Sequence, residues 1–500
     1  MQPDPCPTPF NMAAYVLAHA GVQPDKLAMA IIGADEAESW TYGALEAAVR
    51  GTASGLLGAG LLPGDRVLLR LGNSVDFPIA YLGAIAAGMV PVPTSSQLTV
   101  PELATVTDQI APALALQDPD LPAPKSVRRA ELGTLRGWRA LPPTPYHMGD
   151  PERPGYIVFT SGTSGRARAV VHAHRAIWAR RMMHEGWYGL RAEDRLLHAG
   201  AFNWTYTLGT GLMDPWSVGA TALIPADGTP LEALPELLRQ HDATLFAAAP
   251  GVYRKLLNAR TMLNLPSLRH GLSAGEKLSE TLSQRWAEAT CTQVYEAYGM
   301  SEASTFISSS PTSPCPPTAL GRPQKGRRVA IRKDGAEQPP GTPGTIALHR
   351  SDPGLMLGYL GAEAETQARF SGDWFLTGDL GAMDASGLIT YLGRDDDMMN
   401  AGGYRVSPLE VEVALSAIPG LDQIAVTDIE VAEDARVIMA FYTAPAPLKT
   451  ATLEAFAQAR LAGYKRPRAY HHVATLPLNP NGKLQRRALR PIYEALHGQT

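Results

Sequence analysis

Between Tyr156 and His172 an aromatic and β-branched run, Tyr156-Ile157-Val158-Phe159, enters a loop of small residues, Thr160-Ser161-Gly162-Thr163-Ser164-Gly165. A second apolar run leaves it. Glycine lets backbone N–H groups turn inward at φ values that other residues avoid, and Ser and Thr add hydroxyl donors. Such a loop can wrap phosphate oxygens, with Arg166 and Arg168 supplying positive charge. The Walker A pattern G-x-x-x-x-G-K-[ST] is absent, and the exit predicts a strand rather than a helix start. In isolation the same loop is more often a plain turn. The rest of the chain decides between the two.

The 500 residues, 45% of them hydrophobic, are enough for several sizeable cores. A net charge of −4, with no basic block interleaved with aromatics, argues against nucleic acid as a partner. Cys6, Cys291 and Cys315 are the 3 cysteines, far apart and odd in number, which excludes a disulfide framework and a Cys-based zinc site. The first nine residues show no signal peptide, and the longest apolar stretches, such as 79–90, are too short to span a bilayer. A soluble cytoplasmic protein is expected.

The elements that must position the loop alternate strand, helix, strand. Residues 66–70 predict a strand, 76–87 an Ala-rich helix and 89–92 a buried strand, and Thr41 caps a helix over 43–57. A helix over 102–109 and a strand over 113–116 follow. Residues 117–150, rich in Pro and Asp, predict exposed connection. Past the loop, 195–199, 220–225, 244–248 and 268–273 predict strands, with helices over 207–217, 231–240 and 250–258. Short strands and Gly/Pro turns from 321 to 391 predict a small β-rich subdomain. Beyond the polar run Arg394-Asp395-Asp396-Asp397 comes a compact α+β tail. The fold class is therefore α/β. A large N-terminal domain of layered α/β subdomains plus the β-rich subdomain spans 1–395, and a small C-terminal domain spans 396–500.

Six stretches then appear in order: the Thr160–Gly165 loop, Ser273-Ala274-Gly275-Glu276, Tyr298-Gly299-Met300-Ser301-Glu302, Trp374-Phe375-Leu376-Thr377-Gly378-Asp379, Gly393-Arg394 with Gly403-Tyr404-Arg405, and Asn481-Gly482-Lys483. Together they resemble the adenylate-forming superfamily of acyl-CoA synthetases, peptide-synthetase adenylation domains and luciferases, across nearly the whole chain. Ala201-Phe202-Asn203-Trp204-Thr205-Tyr206 and Asp214-Pro215-Trp216-Ser217-Val218-Gly219-Ala220 look most like acyl- and aryl-CoA ligases of the benzoate–CoA ligase type.

The resemblance implies two steps: a carboxylate attacks the α-phosphorus of ATP and releases pyrophosphate, then the thiol of coenzyme A displaces AMP. Both partners of the first step are anions, so the site must aim cations and donors at the α-phosphate. By resemblance Lys483 bridges the carboxylate and the α-phosphate, Ser301 contacts that phosphate, and Glu302 holds Mg2+. Asp379 accepts the ribose hydroxyls beside Arg394, and Arg405 faces a phosphate. Ser273, Ala274, Gly275 and Glu276 line the adenine pocket, and Tyr298, Gly299 and Gly403 belong to the same nucleotide-binding set. Phe202, Trp204, Tyr206 and Gly299 line the acid pocket, and Asp396 is the hinge of a mobile C-terminal domain. Taken singly, Ser301-Glu302 reads as a helix N-cap, Asp379 as a turn aspartate, and Lys483 as a solvated turn lysine. The ordered set overturns those readings. His172 and His174, two residues apart with no third ligand nearby in sequence, do not predict a metal site.

The chain departs from the family pattern in places. Ala167, Arg168 and Ala169 stand where Pro-Lys-Gly is common, so Arg168 offers a planar fork in place of a point charge. Ser301 replaces the usual Thr, and Gly344-Thr345-Ile346 lacks the common Glu after Gly. The expected partners are a small-molecule carboxylic acid and CoA, with no nucleic acid and no membrane span, and a homodimer is compatible with the pattern. The alternative is a stand-alone adenylation enzyme that loads a separate carrier protein.

Overall fold

The computed structural model describes residues 4–33, 37–161, 167–259, 262–275, 278, 280–394, 399–401, 404–406, 408–432, 435–477, 484 and 486–497. The chain folds as two units. The larger comprises Met1–Ser96, Gln109–Phe159 and Ala169–Gly393, and the smaller Gln97–Asp108, Thr160–Arg168 and Arg394–Thr500.

In the larger unit nine strands form one sheet, in the order Arg322–Pro323, Ser304–Ser308, Gln293–Met300, His270–Ala274, Leu245–Ala248, Arg195–His198, Thr221–Pro225, Leu27–Ile32 and Ala37–Thr41. The six strands from Gln293–Met300 to Leu27–Ile32 run parallel, and antiparallel partners close both edges. Alternate residues serve two cores, as the pleat requires. Leu197, Phe246 and Ala248 pack with Tyr253, Leu256 and Trp286. Leu196, Leu245, Ala247, Leu272, Ala274 and Ala297 pack with Trp187, Tyr188 and Tyr206 on the other face. The chain leaves Arg195–His198 for Thr221–Pro225 on one side and returns to Leu245–Ala248 on the other. That reversal opens a crevice at the carboxyl ends of the strands, where doubly wound sheets bind ligands.

A second parallel sheet has the order Val90–Pro93, Arg66–Arg70, Leu114–Gln117 and Arg129–Glu131. Over it lie the buried helix Asp76–Ala86 and the helix Tyr42–Gly58, which Thr41 caps by accepting the Ala44 N–H at 3.2 Å. Here the expectation of exposed connection over 117–150 fails. Arg129–Glu131 adds a fourth strand, and the helix Leu132–Trp138 buries Leu135 and packs Trp138 over Gly55. A three-residue strand with one buried side chain, Ala130, leaves no periodic signal to read.

The stretch 207–217 is helical as expected, but its first part, Thr207–Met213, is a π-helix, and the α-helix Asp214–Ser217 follows. Within it Gly209 permits a close approach: the Arg180 guanidinium packs where a Cβ would stand. Such π segments cluster at functional sites. The β-rich region forms an antiparallel sheet of Ala336–Glu337, Val329–Lys333, Gly344–His349, Trp374–Met383 and Phe370–Ser371, with Ile389–Arg394 also paired to Trp374–Met383.

The smaller unit holds the sheet Gln423–Ala432, Ala435–Thr443 and Ala469–His472, the hairpin Met399–Ala401 with Tyr404–Val406, and the helices Pro408–Leu415, Thr450–Arg460 and Leu489–His497. Its core is built on Met399, Val406, Val411, Leu415, Ile438 and Leu453. Among the described residues no helix is long and apolar enough to cross a membrane.

Candidate active site

The carboxyl ends of His270–Ala274 and Gln293–Met300 lie side by side, with Ser273 opposite Glu296 and Ala274 opposite Ala297. Ala274 is buried, and Gly275 follows with φ +96°, a left-handed turn that glycine takes without strain. Gln293–Met300 then turns back into Ser304–Ser308, with a bulge between Tyr298 and Gly299. Gly299 is required by close approach, since a Cβ there would lie 2.5 Å from Thr305 Cα. The turn presents Ser301 and Glu302.

Three contacts fix this turn. The Tyr359 hydroxyl donates to Glu302 Oε1 at 2.8 Å, and the Met356 N–H donates to the Glu302 carbonyl at 2.7 Å. His172 Nε2 lies 2.7 Å from the Ser301 carbonyl oxygen while its ring stacks on Tyr156 at 4.8 Å. A carbonyl only accepts, so the proton is assigned to Nε2. Burial pushes the His172 pKa down to about 4, which keeps the imidazole neutral near pH 7. His174 is occupied elsewhere, accepting the Met12 N–H at Nδ1. Sequence reasoning set these histidines aside from metal binding but gave them no task, because the groups they hydrogen-bond are more than a hundred residues away.

Asp379 stands on Trp374–Met383, buried beside the same turn. The Tyr298 hydroxyl donates to Asp379 Oδ2 at 2.6 Å, the Tyr391 hydroxyl to Oδ1 at 3.4 Å, and Thr377 Oγ1 accepts the Asp379 N–H at 3.1 Å. Burial, then the neighbouring Asp379, raises the Tyr298 pKa well above its ordinary value, so the phenol stays protonated as a donor. The structure thus ties Tyr298 of the third motif to Asp379 of the fourth.

Trp204 and Tyr206 pack edge to face at 5.1 Å over the aromatic side of the nine-stranded sheet, and Tyr206 donates to the Leu272 carbonyl at 3.1 Å. Phe202 is set apart. It stacks on Phe77 at 5.7 Å in a different core, and its N–H donates to Asn73 Oδ1. A further buried network lies behind the turn and was invisible in sequence. Arg180 grips Asp214 with Nε at 2.8 Å and Nη2 at 2.5 Å, and its Nη1 donates to Ser304 Oγ. Tyr188 adds a hydroxyl to Asp214 at 2.7 Å and meets Thr210 at 2.8 Å.

Thr160 is half-buried one residue before the end of the strand Pro154–Ser161, and Arg168 is the second residue of the returning strand Ala167–Ala173, as the loop's apolar exit predicts. Ser161, Arg394 and Arg405 are described in their backbone only. Gly162, Thr163, Ser164, Gly165, Glu276, Asp396, Gly403 and Lys483 lie outside the described residues.

Residues 16–360 match the AMP-binding enzyme family, and residues 410–483 match the AMP-binding enzyme C-terminal domain. The chain belongs to the AMP-binding enzyme family. This family member is 31% identical to the benzoate–CoA ligase of Thauera aromatica over 492 residues, 91% of each chain. It is 29% identical to the 3-hydroxybenzoate–CoA ligase of Aromatoleum sp. (strain CIB) over 502 residues, 93% of this chain and 94% of that one. Among solved structures, the benzoate CoA ligase of Burkholderia xenovorans LB400 superposes with TM-score 0.72 at 26% identity, covering 96% of this chain and 100% of that one. The o-succinylbenzoate CoA synthetase of Bacillus subtilis superposes with TM-score 0.85 at 22% identity, covering 95% and 98%, and shares the fold.

Proposed function

We infer that this AMP-binding enzyme is an AMP-forming ligase that joins a carboxylic acid to CoA, and that its acid is aromatic. The observation that carries the reading is the convergence at the strands' carboxyl ends. The Ser301-Glu302 turn, the Tyr298–Asp379 pair and the Trp204–Tyr206 wall are all held there by named contacts. Relatives named for benzoate and 3-hydroxybenzoate support the choice of acid. So does the wall itself, since flat rings pack edge to face and stack well on other rings.

Each residue then has one task. Thr160 to Gly165 and Arg168 hold the leaving pyrophosphate. Asp379, steadied by the Tyr298 hydroxyl, accepts the ribose hydroxyls with Arg394, and Ala274, Gly275 and Glu276 flank the adenine. Ser301 and Arg405 donate toward phosphate. Glu302 is a buried carboxylate with one oxygen taken by Tyr359, a donor set that suits Mg2+, which prefers one carboxylate together with water and substrate phosphate oxygens. When bound, Mg2+ offsets the charge of the departing pyrophosphate. Lys483 meets the charge that builds as the acid attacks phosphorus. Asp396, at the boundary of domains 1–395 and 396–500, is the hinge. A cytoplasmic setting fits the three scattered cysteines.

The test is pyrophosphate release with ATP and Mg2+ over a panel of aromatic and aliphatic acids, followed by assay of the thioester with free CoA. Aromatic acids should lead the panel and free CoA should accept the acyl group. Adenylate formation without any acyl-CoA would shift the reading to loading of a carrier protein. An aliphatic acid at the head of the panel would sink the aromatic assignment.

Trp204→Ala tests the wall. Removing a large ring vacates space, so kcat/KM for bulkier acids should rise relative to benzoate by roughly tenfold, the scale on which pocket volume discriminates. An unchanged rank order of acids would make Trp204 ordinary packing.

A further inference from the structure

Tyr359 ends Gly358–Tyr359, a short strand at the edge of a sheet it forms with Ala167–Ala173 and Pro154–Ser161. Gly358 pairs with Val171 and Tyr359 with Val170, on the strand that returns from the Thr160–Gly165 loop. Hydrogen bonds fix that edge. The Leu357 N–H donates to the Val171 carbonyl at 2.8 Å, and the Leu360 N–H to the Ala169 carbonyl at 2.9 Å. The Tyr359 N–H donates to Thr366 Oγ1 at 2.9 Å. Val170 is completely buried and Tyr359 nearly so, so the phenol is not free to swing. Its hydroxyl donates to Glu302 Oε1 at 2.8 Å. The backbone of the turn has other holders: the Met356 N–H takes the Glu302 carbonyl, and His172 takes the Ser301 carbonyl. The Tyr359 hydroxyl is left to act on the carboxylate.

Glu302 Oε1 is thus committed, and among the described residues no donor meets Oε2. A carboxylate with one oxygen held by a hydroxyl offers a cation the other oxygen alone. With both free it offers a two-oxygen bite. The two arrangements suit different ions. Mg2+ is small, demands a near-octahedral shell and parts with its waters reluctantly, so the narrow bite of a carboxylate fits it poorly. Ca2+ is larger, gathers more oxygens in a looser shell and accepts both oxygens of one carboxylate. We propose that Tyr359 is a positioning residue that sets the metal preference of the site: by holding Glu302 Oε1 it leaves a single oxygen, which favours Mg2+ over Ca2+. The proposal rests on the reading of Glu302 as the Mg2+ ligand and adds the residue that chooses the ion. Groups that orient a metal's ligands tune its affinity in this way. A hydroxyl that only satisfied a buried carboxylate would act differently, since its loss would lower stability and leave the ion preference unchanged.

The experiment measures binding of ATP to the full chain by calorimetry, with Mg2+ or Ca2+ as the sole divalent cation. No acid is present, so binding is read apart from turnover. Wild type is compared with Tyr359→Phe, which keeps the ring and removes the hydroxyl, and with Glu302→Gln. Wild type should bind ATP more tightly with Mg2+ than with Ca2+. Tyr359→Phe should weaken binding with Mg2+ by about tenfold and change binding with Ca2+ by less than about twofold, the scale on which groups holding a metal ligand act. A wild type with no preference overturns the proposal. So does an equal loss with both ions in Tyr359→Phe, or a preference that survives it. If Tyr359→Phe does not fold, Thr366→Val decides. It removes the acceptor of the Tyr359 N–H at constant shape and should lower the preference by about two- to fivefold, and an unchanged preference there overturns the proposal. Glu302→Gln should abolish the preference. A Glu302→Gln that keeps it takes the metal away from Glu302 and sinks the underlying reading. That outcome is distinct from a preference that Glu302→Gln abolishes and Tyr359→Phe preserves, which overturns the role of Tyr359 alone.

Discussion

Replacing Lys483 with alanine is expected to cut acid-dependent exchange of pyrophosphate into ATP by at least about 10²-fold, roughly 2.7 kcal/mol of barrier. The reason is the charge balance of the first step. A carboxylate approaches a phosphorus already surrounded by anionic oxygens, and the transition state gains from a cation placed where the two negative partners meet. Lys483 is the lysine that the Asn481-Gly482-Lys483 motif offers for that position. The second step has no such need, since a thiol displaces AMP from an activated carbonyl. Thioester formation from synthetic acyl-AMP should therefore fall far less than exchange does. Arginine at 483 should not restore the first step, because its fork is broader and its charge spread over a plane. Two results would overturn the assignment: near-normal exchange by Lys483→Ala, or equal loss of both half-reactions in a folded protein.

The parts of this enzyme that could be read from sequence are those whose signal is local. The run Leu245–Ala248 is apolar and β-prone, the helix Tyr42–Gly58 begins with its own cap at Thr41, and the loop proposed to hold phosphate shows as five consecutive small residues after Thr160. Motif order carries the proposal for the rest of the site, because Ser301-Glu302 and Asp379 have little meaning singly. What stayed hidden is what depends on distant partners. Arg180 and Asp214 are 34 residues apart, and nothing between them marks the pair. Phe202 lies two residues from Trp204 yet belongs to another core, because the segment between them turns away from the strand. The strand expected over 195–199 was legible by itself, and only the sheet order shows that it is the switch. Arg129–Glu131 was missed for a different reason: three residues with one buried side chain are too few to show a period.

The hidden Arg180 network leads to the second large effect, this one on stability. Arg180→Met should destabilise the larger unit by about 3–5 kcal/mol, the usual result of stripping one partner from a buried ion pair. Asp214 is completely buried, and without the guanidinium it keeps the Tyr188 hydroxyl at 2.7 Å but loses two charge-assisted bonds. Neutralising the orphan should recover much of the loss, so Arg180→Met with Asp214→Leu should be more stable than the sum of the single changes, with a coupling of about 0.5–3 kcal/mol. Arg180→Lys should fall between wild type and Arg180→Met, because one ammonium keeps the charge and cannot reach both Asp214 and Ser304 in the arginine's geometry. Activity adds an independent readout. Arg180 Nη1 holds Ser304, two residues after Glu302, so even the rescued double mutant should lose kcat more than it raises the KM for the acid. Urea unfolding followed by tryptophan fluorescence, beside steady-state kinetics, measures both. A single mutant within about 0.5 kcal/mol of wild type, the range of ordinary surface changes, would show that the pair is not the brace drawn here. A double mutant no better than the sum of its parts would show that Arg180 and Asp214 act independently.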